Sequence, residues 1–108
     1  MLKANNDNPF LTSNKTTLIE VIAQMEKELQ MSGENHVFKN EGAEKLILEL
    51  SSFLKTMDTG SRVENLLYRV DVNLSKLDDN LPHYEALATL LWNRVFQKVW
   101  FRNQFKTG

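Results

Sequence analysis

The residues of this 108-residue chain that could do chemistry are few, and their spacing limits what they could do. His36 and His83 are its two imidazoles. They fall in separate loops, and neither has a second ligand at metal-binding spacing, so each is expected as a solvent-facing or capping side chain. Asp78 and Asp79 lie near His83, but two adjacent carboxylates offer too few converging oxygens for a hard cation. Glu64, Tyr68 and Asp71 share one face of a helix. A carboxylate beside a phenol becomes an acid–base site only where burial shifts a pKa, and the apolar seam of that helix puts this face in water.

Other familiar chemistry is missing. The sequence has no Gly-rich phosphate loop, no Glu-x-x-His pair, no His-Glu-x-x-His and no serine elbow, and its four glycines leave little from which to build such loops. Cysteine is absent, which removes thiol catalysis, thiolate metal sites and disulfides, and suits a reducing compartment. We therefore expect a non-enzyme with no catalytic residue, no cofactor, no metal and no small-molecule substrate.

Charge offers one further lead. All 14 acidic residues lie at or before Glu85, against nine Lys or Arg there, so residues 1–85 sum to −5 and the remainder to +4, for a net −1. The four late cations, Arg94, Lys98, Arg102 and Lys106, recur every fourth residue with aromatics between them, a composition that can bind phosphates and stack bases. A simpler account is that cations near a helix C-terminus oppose its partial negative charge.

The elements that position these groups follow from apolar periodicity. Leu18, Val21, Ile22, Met25 and Leu29 define a helix over 17–31, with Thr17 and Glu20 as a capping box and Ser32-Gly33 as a left-handed stop. Ala43, Leu46, Ile47, Leu50, Phe53, Leu54 and Met57 form the face of a second helix over 41–57, with Asn40 as N-cap. A third is expected over 61–79, capped by Ser61 and Glu64, on a heptad seam of Val63, Leu67, Val70, Leu74, Leu77 and Leu81. Pro82 then starts a fourth over 82–105 after a very tight link. The expected fold is all-α, an up-down four-helix bundle over 16–108 preceded by an extended N-terminal arm over 1–15.

The fourth helix stands apart. Tyr84, Ala88, Leu91, Trp92, Val95, Phe96 and Val99 make its core face, while Leu87, Leu90, Phe101 and Phe105 fall toward the other side with Arg94 and Lys98. A helix apolar on two sides is usually buried on two sides. These six residues (Leu87, Leu90, Arg94, Lys98, Phe101, Phe105) are therefore the expected interface. The expected cover is a second copy of the chain, making a homodimer. The arm folding back through Phe10 and Leu11, or another protein, is the next choice. The alternative function is a nucleic-acid-binding accessory protein using the basic, aromatic helix. The N-terminus lacks a signal peptide and no apolar run approaches ~20 residues, so a cytoplasmic location without a membrane span is expected.

Overall fold

In the computed structural model, residues 15–57 and 60–104 are described, and all regular structure among them is helical. The elements are α1 (Lys15–Met31), α2 (Ala43–Met57), α3 (Arg62–Val70), one 3₁₀ turn (Leu74–Lys76) and α4 (His83–Gln104). The α4 helix is central: it packs most extensively on α2, then on α1, and touches α3. These are the contacts of a helical bundle. The expected N-terminal arm, with Phe10 and Leu11, lies outside the described residues.

Each helix buries the face its apolar spacing marks. Val21, Met25 and Leu29 of α1, at steps of four, are fully buried, as are Leu46, Leu50, Leu54 and Met57 of α2. Trp92 is the largest side chain with no exposure, and Leu91, Val95 and Val99 of the same helix are equally enclosed. The α1 helix stops as its sequence predicts. Gly33 takes φ +88°, its N–H bonds the Gln30 carbonyl at 3.0 Å, and the Glu34 N–H reaches back to Leu29 at 2.9 Å, which together form a Schellman motif.

The caps at helix starts differ from expectation. The α1 helix already runs from Lys15, so Thr17 lies inside the helix and not at its cap. Gly42, at φ +90°, supplies the carbonyl for the first turn of α2 (Leu46 N to Gly42 O, 3.0 Å), whereas Asn40 spends its side chain on Glu49. Ser61 occupies the N-cap of α3, but its hydroxyl makes no capping bond.

The third helix, expected to reach residue 79, ends at Val70. Asp71 adopts the left-handed conformation (φ 67°, ψ 58°), and both its N–H and that of Val72 close on the Leu67 carbonyl. Asn73 Oδ1 then accepts from the backbone N–H and the hydroxyl of Ser75, and Asp78 accepts from the Asn80 N–H at 2.9 Å. Short polar side chains offer the backbone these local bonds in competition with the helix. Here they outweigh the heptad seam: Val63, Leu67 and Val70 are buried, but Leu74 is 52% exposed and Leu77 only packs against the core edge. The link to α4 is accordingly not tight but spans 71–82.

Candidate functional site

The residues expected to form an outward strip on α4 occupy three different environments. Leu87 is 4% exposed and belongs to the core, so it is not part of any free surface. At 100° per residue it points only about 40° from Leu91, and with α1 and α2 both packed on α4 the buried arc is wide enough to include it. Leu90 is half-buried and lines a cleft. Phe101 is exposed at 45%, beside Trp100 at 44%, with ring centroids 5.3 Å apart in edge-to-face orientation. Phe105 and Lys106 lie outside the described residues.

The basic line is engaged within the fold. Lys98 Nζ lies 3.7 Å from Glu28 Oε2 on α1, and Arg69 Nε of α3 lies 3.4 Å from the other oxygen of that buried carboxylate. Gln24 Nε2 donates to Glu28 at 3.1 Å, Arg102 donates to Gln24 Oε1 at 3.2 Å, and Asn103 donates to Glu20 at 2.7 Å. Glu20, Gln24 and Glu28 recur every fourth residue on α1, so rising numbers on one helix meet falling numbers on the other. The two helices run antiparallel along this polar seam.

A second polar cluster binds the segment between α1 and α2. Glu49 Oε1 accepts from the backbone N–H groups of Lys39 and Asn40, each at 3.1 Å, and from Asn40 Nδ2 at 2.7 Å. Its other oxygen lies 2.7 Å from His36 Nε2. The His36 ring is held edge-on to Phe38 and tilted over Phe53, with centroids 4.8 and 4.6 Å away. His36 is thus not a solvent-facing side chain but part of the loop's attachment. Burial pushes the Glu49 carboxyl up, but the bonds from Asn40, Lys39 and His36 outweigh it and hold the group below its ordinary value. Nearby, Phe38 N–H donates to Glu26 at 2.9 Å, and Arg62 grips Glu34 with Nε at 2.8 Å and a terminal nitrogen at 2.5 Å. That fork is the main reason the Glu34 carboxyl is also lowered. Sequence reasoning missed Glu49. The available signal was a carboxylate on the border of α2's apolar face, three residues after Leu46 and four before Phe53.

The cleft lined by Leu90 has a volume of about 660 Å³ and lies between the segment after α3 and the middle of α4. Asp71, Val72, Asn73 and Lys76 form one wall, and Leu90, Asn93, Arg94 and Gln97 the other. Arg94 Nε donates to the Asp71 carbonyl at 3.2 Å and a terminal nitrogen donates to Gln97 Oε1 at 2.9 Å. Asn93 Oδ1 is buried with no hydrogen-bond partner among the described residues. Glu64, Tyr68 and Asp71 are exposed, Tyr68 at 89%, as the seam of α3 requires. Asp78, Asp79 and His83 are exposed too, and among the described residues no group of three or more His, Asp or Glu side chains is placed to hold a metal ion.

No protein-family model matches this chain, and neither does any curated protein or solved structure. Its class is therefore defined by the fold alone: an all-helical bundle in which no helix of the described residues is long and apolar enough to cross a membrane.

Proposed function

We propose that this protein is a small non-enzymatic helical interaction module that pairs with a second copy of itself through the C-terminal end of α4, in a cytoplasmic setting. The observation that supports this is the Trp100–Phe101 pair: two adjacent aromatic rings, each nearly half exposed, on a helix whose other large apolar residues are wholly or partly enclosed. Aromatic residues flanked by an arginine, here Arg102, are the types enriched at binding hot spots. A pair of α4 ends related by a two-fold axis would place the same patch on both subunits, so that one surface provides its own complement. Leu87 is no longer part of this interface. Leu90, Arg94 and Lys98 lie toward the bundle and contribute at most to its rim.

The nucleic-acid reading draws less support, since Lys98 and Arg102 are engaged by Glu28 and Gln24 on α1 and Arg94 is turned toward Asp71, so the three do not form one free row of cations for a phosphate backbone. Light scattering after size exclusion tests the dimer directly. The expected result is a concentration-dependent dimer for the intact chain and a monomer for the Trp100→Ser, Phe101→Ser double variant. A stable monomer of the unaltered chain at micromolar concentration would overturn the proposal.

A further inference from the structure

We propose that the cleft between the Asp71–Lys76 segment and α4 binds a small organic anion, with a carboxylate or phosphate head group seated between Arg94 and Lys76. Its volume of about 660 Å³ is in the range that small-molecule sites occupy. The polar groups that the fold leaves unused in this cleft define what it can hold.

Arg94 is fixed from behind. A guanidinium presents five N–H donors in a rigid fork. Its bonds to the Asp71 carbonyl and Gln97 Oε1 consume two of them and set its plane, leaving the rest. Its remaining neighbour is the Asp71 carboxylate, 3.6 Å away and 82% exposed. An ion pair of that length and exposure is weak, so an incoming anion displaces Asp71 at little cost. Lys76 brings a second cation to the same cleft and makes no ion pair among the described residues.

The amides point to the same ligand. Asn73 Oδ1 is occupied by Ser75, and Gln97 Oε1 by Arg94, so each leaves its NH₂ end to donate. The groups left over are thus mostly donors, and they match a head group that only accepts. Val72 and Leu90 give the ligand's short carbon body an apolar wall.

Amide and side-chain NMR shifts of the intact chain, recorded at fixed ionic strength against lactate, propionate and inorganic phosphate, test this. Saturable shifts at Asn73, Lys76 and Gln97 are expected, with phosphate against the two carboxylates distinguishing the head groups. Arg94→Gln should weaken binding by about tenfold or more, the loss of one charge-assisted bond. Lys76→Ala should weaken it, and Asp71→Asn, which removes the competing charge, should strengthen it by about two- to fivefold. Asn tolerates the left-handed backbone at position 71, and both of these positions are exposed, so they decide the matter even if Arg94→Gln does not fold. Shifts that rise linearly without saturating for all three anions, or equal affinity in all variants, would overturn the proposal.

Discussion

His36 Nε2 lies 2.7 Å from Glu49 Oε2, joining the loop after α1 to the middle of α2 across thirteen residues of sequence. Glu49 is the common acceptor for that loop. Through one carboxylate it fixes two backbone N–H groups, an amide and an imidazole, which have no strand or helix ladder to satisfy them.

Glu49→Ala should therefore loosen residues 36–40 specifically. The freed groups at Lys39 and Asn40 are near water and can rehydrate, so a stability loss of about 1 to 3 kcal/mol is expected, not unfolding. Urea titration gives the magnitude. Faster hydrogen exchange at Lys39 and Asn40, with Leu46 and Leu50 still protected, gives the location.

Acid should weaken the fold through the same carboxylates. The pKa values of Glu34 and Glu49 are both depressed in the folded state below their ordinary 4.5. A depressed carboxylate contributes stability that is present above its unfolded value and is lost as pH falls through the folded one. Midpoints of thermal unfolding should therefore hold steady down to about pH 5 and fall below it. The double variant Glu34→Gln, Glu49→Gln should be less stable near neutrality and show a flatter acid limb. An unchanged limb would place the acid sensitivity elsewhere.

The two tryptophans should separate core from surface. Trp92 has no exposure, so Trp92→Ala removes a fully buried ring and should cost about 3 to 5 kcal/mol. Trp100→Ser touches a half-exposed ring and should change monomer stability by only about 0.5 kcal/mol. Chemical denaturation of both variants, read by the fluorescence of the remaining tryptophan, checks the contrast.

Much of the architecture was legible in the sequence because apolar spacing directly encodes burial. The faces of α1, α2 and α4 matched their three-and-four steps, and Ser32-Gly33 announced the Schellman stop, since glycine is the residue that takes a positive φ without strain. What failed was local competition. The seam through Leu74 and Leu77 has helical spacing, but Asp71, Asn73 and Asp78 capture backbone groups, and periodicity carries no record of such bonds. The placement of Leu87 also misled, because the width of a helix's buried arc depends on how many neighbours it has.

From its residue order alone, the chain determined that it folds as helices, which sides of them avoid water, and that thiol chemistry is excluded. Tertiary packing alone decided which charges remain available. Lys98 meets Glu28, Arg102 meets Gln24 and His36 meets Glu49 only once distant segments are brought together. Electrostatic and hydrogen-bonding partners act over a few ångströms of space, and separation along the chain does not encode that distance.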